Sequence, residues 1–468
     1  MRKVLFLPIE IIERELDGKL LVAAEALRRN FHVYIGHYRE IEQYAFAEGN
    51  GVYLYKAMTD YNAKTLFLPL KNSGVIPVAL DEEGLVWPSI EYYAKTRLGQ
   101  GQGLNSLEKI FTWGKEQKDF ICNNYNISYD KVIVTGNPRF DILSEPFSRI
   151  YDKEVTKIRL NYKKYVLINT NFGPANFSNV FGRTWLEHMH WSGIIKNDLD
   201  LFYFTERQNY YAQLIEEYAS AIRLLAPSIF PLDIIIRPHP SEEHTTWSSR
   251  FRDIPNVHVV YHGSSKPWIK GAVCVIHTGC TTGLEAFYMN VPVIRYNTID
   301  RNDMESPLPN HVSIFCCDYN SLEKNVLKFS NDHSIVKHTE ELAGLLGSRL
   351  QNAYGTLSYQ VIVDSIENIL SQAKHSCDHN TEPLMPNTYK FILNDTMQFL
   401  LNGLIRISFI RNLKIFNKLR LRHQRFSGLP LKKVTSRMNM IIGNSSGNLE
   451  AGYVAARVGR NVIRFAPK

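Results

Sequence analysis

Two short stretches hold residue types able to grip a phosphate and hand it a proton: Arg237-Pro-His-Pro-Ser-Glu242 and, about forty residues on, His277-Thr-Gly-Cys-Thr-Thr-Gly-Leu-Glu-Ala286. The first follows Asp233–Arg237, an apolar run that reads as a buried strand. Pro238 ends ladder pairing there, and Pro240 stiffens the turn. A histidine fixed at that strand end, His239 beside Arg237, can bind a phosphate oxygen and donate a proton as a bond breaks. A hydrogen-bonded structural histidine is the plain alternative. In the second stretch a strand gives way to His277, then to a turn with Gly279, Thr281, Thr282 and Gly283 that opens a helix. Such a turn offers backbone N–H groups and the positive end of a helix dipole, which is an anion site. Glu285, in the first helical turn, either bonds a ribose hydroxyl or is a helix-start carboxylate. The GxGxxG dinucleotide fingerprint and the GK[ST] phosphate loop are both absent.

A third cluster, Asp81-Glu-Glu-Gly84, follows the apolar run Val75–Leu80. Adjacent acids repel, so at least one is expected to have a raised pKa. A carboxylate at a strand end is a natural general base, although a solvated acidic turn has the same composition. Arg14, Glu15, Asp17 and Lys19, just after the first strand, are either acceptor contacts or the solvated start of a helix.

These residues need elements to hold them. Val4–Pro8, His32–Gly36, Thr65–Leu70, Val75–Leu80, Lys109–Thr112 and Lys131–Val134 read as strands, and Arg14–Asn30 as an amphipathic helix with Leu16, Leu20, Leu21, Ala24 and Leu27 on one face. After a charged connection the pattern restarts. Tyr165–Ile168, Asp233–Arg237, Val257–Tyr261, Ala272–Ile276 and Pro292–Tyr296 read as strands, with a long helix near Arg207–Leu225. Alternating strands and helices predict doubly wound parallel sheets. The expected fold is α/β: two tandem Rossmann-like domains, residues 1–150 and 160–375, with the helical stretch Thr339–Ala373 closing the second. Ligands of such folds lie at the carboxyl ends of the strands.

Composition sets the remaining bounds. A chain of 468 residues can build two or three full cores. It has no uncharged apolar run long enough for a spanning helix, and its start reads as a buried strand, not a signal peptide. Six cysteines without a CxxC pair give no zinc cage and suggest a reducing, cytoplasmic compartment. The net charge of +8 is unevenly spread: residues 396–468 carry 14 Lys and Arg against one acid, and the rest carry 40 against 45. Within the basic extension, 385–468, Arg411, Lys414, Lys418 and Arg422 recur at helical spacing beside an apolar stripe. Such a helix either lies in an anionic membrane interface or packs on the acidic body. Nucleic acid is not an expected partner.

The order acidic-acidic-glycine, His-Pro, then a Ser/Thr-rich turn resembles bacterial sialyltransferases, here as Glu82-Glu83-Gly84, His239-Pro240 and Thr281-Thr282. Over about residues 1–375 the chain also resembles surface carbohydrate biosynthesis proteins related to Kdo transferases of capsule and lipopolysaccharide assembly. That resemblance rests on Pro8-Ile-Glu, Arg14-Glu-Leu-Asp-Gly-Lys19, Leu80-Asp-Glu-Glu-Gly84, Gly136-Asn-Pro-Arg-Phe-Asp141, Asn169-Thr-Asn-Phe-Gly173 and Arg237-Pro-His-Pro-Ser-Glu242. It implies a GT-B glycosyltransferase that takes a nonulosonic-type sugar from a CMP donor to a glycan or lipid-linked glycan acceptor. No metal or other cofactor is implied. Glu82 or Glu83 would act as base and His239 would meet the leaving phosphate. The Gly279–Gly283 turn would hold the same phosphate, with Asn171 and Gly173 lining the donor side. A polyol phosphate transferase using CDP-glycerol, and a non-catalytic scaffold of a glycan assembly complex, are the rival expectations; the expected place is the cytoplasm, peripheral on the inner face of the cell membrane.

Overall fold

In the computed structural model, residues 2–178, 182–331, 340–374, 425–444 and 452–468 are described. The chain divides into two units: residues 1–85, 97–142 and 347–468 form the first, and residues 86–96 and 143–346 the second.

The first unit is built on an eight-stranded sheet. Its strands are β1 (Lys3–Ile9), β2 (Phe31–His37), β3 (Val52–Tyr55), β4 (Ile76–Leu80), β5 (Lys109–Thr112), β6 (Val132–Val134), β13 (Tyr453–Gly459) and β14 (Val462–Pro467). Their order is β13-β14-β2-β1-β3-β4-β5-β6. β1 to β6 are parallel, and β14 pairs antiparallel with β2. The chain steps outward from β1 to β2 and then returns to the other side of β1, so the switch point lies between β1 and β3. That is where α/β sheets place ligands.

Two expected elements differ. Thr65–Leu70 is helical, not a strand. Ala63, Leu66, Phe67 and Leu70 are the buried positions, and that three-to-four spacing is a helix period. β3, unassigned from sequence, supplies a fully buried central strand. The first helix, Ile12–Arg28, is buried almost all round, beyond the leucine face. It packs against Pro138–Asp141, Ser358–Lys374 and Leu431–Asn444. A Cβ at Gly18 would come within 3.0 Å of the Arg139 nitrogen, so glycine is what lets this helix approach that turn.

The second unit holds β7 (Tyr165–Asn169), β8 (Asp233–Arg237), β9 (Val257–Val259), β10 (Val275–His277), β11 (Val293–Tyr296) and β12 (Ile314–Cys316). All are parallel, in the order β12-β11-β10-β7-β8-β9. Here the switch point lies between β7 and β10. The core is rich in aromatics, including Phe172, Tyr211, Tyr218 and Trp247. The Tyr218 hydroxyl lies 2.9 Å from both the His277 and Tyr296 carbonyls and ties the ends of β10 and β11 to the long helix Asp198–Ser228.

The division of the chain departs from the expected boundaries. Ser358–Lys374 packs on the first helix and belongs to the first unit, so it does not close the second. The described part of the extension adds two strands and helix Leu431–Asn444 to the first unit. The physical reason is an open sheet edge: β2 presents unpaired backbone groups that β14 satisfies.

Candidate functional site

In the second unit three turns leave neighbouring strands at one level. Asn169 is in register with both Arg237 and His277. The turns after β8, β7 and β10 therefore stand side by side at the carboxyl edge, around the switch point.

His239 is exposed on the first of these turns. The Ser241 backbone N–H donates to its Nδ1 at 3.2 Å, and Ser241 Oγ lies 2.7 Å from the same atom. A backbone N–H can only donate, so Nδ1 accepts and the neutral ring carries its proton on Nε2. The turn is held from below by Glu242. Its Oε1 accepts from Thr170 Oγ1 at 2.7 Å, from the Phe172 N–H at 3.0 Å and from the His239 N–H at 3.2 Å. Its Oε2 accepts from Trp247 Nε1 at 2.8 Å and Asn176 Nδ2 at 3.3 Å. Burial pushes this carboxyl up, against the pull of those hydrogen bonds. The network locks the turn after β7 to the turn after β8. A Cβ at Gly173 would lie 2.7 Å from Ser241 Oγ, so the two turns touch where that glycine sits. Asn171, half-buried between Thr170 and Phe172, shares this edge. Expected residues Asn171, Gly173 and His239 are thus brought together.

Arg237 is not part of that surface. Its guanidinium donates to the His262 carbonyl at 3.1 Å and the Gly263 carbonyl at 2.7 Å, and lies 5.3 Å from the Trp268 ring centroid. These contacts correct the expected phosphate role to one of holding the 262–263 loop.

His277 is corrected likewise. It is fully buried, its Nδ1 faces the Cys280 N–H at 3.4 Å and its Nε2 lies 2.7 Å from Ser313 Oγ. Burial and the Arg295 charge push the imidazole down to about 3. It is a neutral structural histidine. Gly283 packs on it: a Cβ there would sit 2.5 Å from His277 Nε2. Gly283 therefore serves packing and not approach to an anion.

Gly279, with φ +57, does need the freedom of glycine. It starts the turn into helix Thr281–Tyr288, whose N-cap is Cys280. A cysteine has no side-chain oxygen with which to cap the first N–H groups. Thr281 and Thr282 are half-buried there. Glu285 is buried on the same helix, 3.5 Å from Ser265 Oγ. A buried Arg295–Glu305 pair, bonded also by Tyr210, Asn297 and Asn310, supports the turn from the side of Gly279.

In the first unit, charged residues gather at the carboxyl ends of β1, β3 and β4. Lys56 pairs with Glu10 across the switch point. Each acid of the Asp81–Glu83 run has at least one cation beside it, and Arg97 serves two of them. Arg97 clasps Asp81 at 2.6 and 3.0 Å. Lys19 Nζ lies 3.5 Å and Arg139 Nη1 3.8 Å from the Glu82 carboxylate. Arg14 and Arg97 each lie 3.2 Å from Glu83. Burial acts to raise Glu82, but Lys19, Arg139 and Arg14 outweigh it and hold the carboxyl below its ordinary value. Glu83 loses hydration too, yet Arg97 and Arg14 bring it down to about 2. Neither of these two carries the raised value expected within the run. Glu15, outside the run but beside it, is raised by burial and by the Glu82 charge, and accepts the Glu10 and Ile11 N–H groups at 3.0 and 3.2 Å.

Arg14 bridges Glu15 and Glu83 and stays partly exposed. Asp17 is buried and paired with Arg437 at 3.0 Å, and Lys19 is buried against Glu82. A buried, paired residue cannot greet an acceptor, so of the four acceptor candidates Arg14, Glu15, Asp17 and Lys19 only Arg14 keeps a surface for one. Gly136–Asp141 works as a clamp: Asn137 caps its own turn, Arg139 donates to the Glu82 carbonyl at 2.9 Å, and Asp141 accepts the Tyr359 N–H at 3.0 Å.

Two arginines of the basic extension reach back toward the start of the chain: Arg425, which continues the cationic spacing of Arg411 to Arg422 in sequence, pairs with Glu10, and Arg437 pairs with Asp17. Sequence reasoning missed Arg437, which only its place in a basic run marked. Arg411, Lys414, Lys418 and Arg422 lie outside the described residues. Among the described residues, no helix is long and apolar enough to cross a membrane, and no group of three His, Cys, Asp or Glu could hold a metal ion.

No protein-family profile and no curated protein matches the chain. Solved structures similar in chain path include the wall teichoic acid polymerase TagF, at 12% identity and TM-score 0.48, over 81% of this chain and 90% of that one. They also include the UDP-GlcNAc 2-epimerase of Neisseria meningitidis bound to UDP-GlcNAc, at 13% identity and TM-score 0.45, over 79% and 100%. The corresponding enzyme of Methanocaldococcus jannaschii stands at 12% and 0.48, over 79% and 100%.

Proposed function

We propose that this chain is a glycosyltransferase of surface-glycan assembly that moves a nonulosonic-type sugar from a CMP donor to a glycan or lipid-linked glycan. The observation that carries the reading is His239: an exposed imidazole, its proton held on Nε2 by the Ser241 N–H, on the same carboxyl edge of the sheet as the turn that opens helix Thr281–Tyr288, with β7 between their strands. A donor N–H and an uncapped helix start suit one phosphate monoester, which is what CMP presents. In the proposed step the acceptor oxygen attacks the anomeric carbon and the bond from that carbon to the phosphate oxygen breaks. The electron pair leaves with CMP, and His239 stabilises the new charge or protonates it. Gly279, Thr281 and Thr282 hold the phosphate; Asn171 and Gly173 line the donor side.

Glu82 and Glu83 are the proposed bases for the acceptor hydroxyl. Both are ionised at neutral pH, and Glu83 is the more accessible. A carboxylate held so low is a weak base, so its share of the work is charge stabilisation as much as proton removal. Inner-leaflet attachment through the basic extension belongs to the same proposal.

A CDP-glycerol donor would suit the same turns, and its product would retain a phosphate. The test is mass analysis of the product formed from each donor. CMP released with a phosphate-free glycosidic product supports the proposal; a product that retains phosphate contradicts it.

A further inference from the structure

One arginine of the second unit stands among aromatic rings and has no ion pair among the described residues. Arg207 lies on helix Asp198–Ser228, half-buried, with Tyr203 and Tyr211 one turn to either side. Its Nη1 donates to the Tyr203 hydroxyl at 3.2 Å. Its guanidinium carbon is 5.7 Å from the Tyr92 ring centroid and 5.6 Å from that of Tyr211. Among the described residues, no carboxylate forms an ion pair with it. Nearby acids are committed elsewhere: Asp200 to Lys95, Glu206 to Arg301 and Glu305 to Arg295. Hydrogen bonds to the hydroxyls of Tyr203 and Tyr211 leave most of the five guanidinium N–H donors for a ligand. Arginine stacked on aromatic faces turns its N–H edge outward, the geometry that grips a planar carboxylate at two points.

The position fits the donor side. The next residue, Gln208, donates to the Pro174 carbonyl at 3.1 Å, just past Gly173. Tyr211 packs on Phe172 at 6.3 Å between centroids. The Phe172 N–H is held by Glu242, which also holds the His239 N–H. Arg207 is thus two packed side chains from the carboxylate that fixes the His239 turn.

We infer that Arg207, set among Tyr92, Tyr203 and Tyr211, is an oxyanion site that takes the carboxylate of the transferred sugar, apart from the turn that takes the nucleotide phosphate. This rests on the CMP-nonulosonate reading. It would make the enzyme select donors by a group that a polyol or neutral hexose lacks.

The test is equilibrium binding of CMP, CMP-N-acetylneuraminate and the methyl ester of its sugar carboxylate to the wild-type chain, R207Q and R207K. Wild type binds the acid at least ten-fold more tightly than the ester. In R207Q the two bind alike and CMP affinity is unchanged, which also shows the variant folded; R207K retains part of the preference. An acid-over-ester preference that survives in R207Q overturns the inference. So does R207Q weakening CMP alone as much as the acid, which would put Arg207 on the phosphate. If none of the three ligands binds wild type while CDP-glycerol does, the donor reading itself falls and takes this inference with it.

Discussion

His239 and His277 look alike in sequence, each closing an apolar strand, yet their surroundings give them opposite chemistry. His239 is exposed with its Nδ1 occupied by a backbone donor. H239A is expected to lower turnover by about 10²–10⁴-fold, the usual worth of a positioned acid. Because the side chain is exposed, stability should stay within ~0.5 kcal/mol. Steady-state rates with a denaturation curve check both halves. His277 is buried, and its folded-state pKa of about 3 lies below the unfolded value of about 6.5. Between those values the unfolded chain binds more protons. The contribution of His277 to stability is therefore whole above pH ~6.5 and is lost as pH falls toward 3. In H277Q the midpoint of unfolding should fall less steeply with acid over that window, from a lower starting value at pH 7.5. Parallel curves for the two proteins would contradict this assignment.

At the scale of elements, two junctions carry the architecture. The turns after β7 and β8 are joined through Glu242, whose two oxygens accept five hydrogen bonds. In E242Q an amide nitrogen must face donors, either Trp247 and Asn176 or Thr170 and two backbone N–H groups. The expected cost is about 2–4 kcal/mol, with a loss of turnover in the folded fraction because His239 is no longer fixed. Urea denaturation and turnover per folded molecule read the two effects. The second junction joins helix Leu431–Asn444 to the first helix. Arg437 neutralises Asp17, which is buried. R437A removes the charge partner of that buried carboxylate and should cost about 3 kcal/mol. D17N in the same chain should restore most of the loss, and a double-mutant cycle by denaturation reports the coupling.

At the scale of the whole molecule, local chemistry was legible and long-range pairing was not. Lys109–Thr112 and Asp233–Arg237 are apolar runs closed by turns, so their limits can be read to the residue. The edge strand β14 cannot be read in this way, because it gains its place from β2, more than 400 residues earlier. The site divides on the same line. His239, Asn171 and Gly173 are legible because strand end, proline and glycine are local signals. Arg237 and His277 mislead because their partners, the 262–263 carbonyls and Ser313, come from elsewhere in the chain. Arg207 carries no motif at all; helix Asp198–Ser228 and the segment bearing Tyr92 make its surroundings.

The central claim is that the His239 turn and the start of helix Thr281–Tyr288 hold the monophosphate of a leaving CMP. Thermal unfolding of the wild-type chain with CMP, CDP, UDP and GDP, each repeated on H239A, tests it most directly. The account predicts a rise in Tm with CMP that exceeds those with UDP and GDP, and that shrinks in H239A. A rise confined to UDP or GDP, or a CMP effect untouched by H239A, would contradict it.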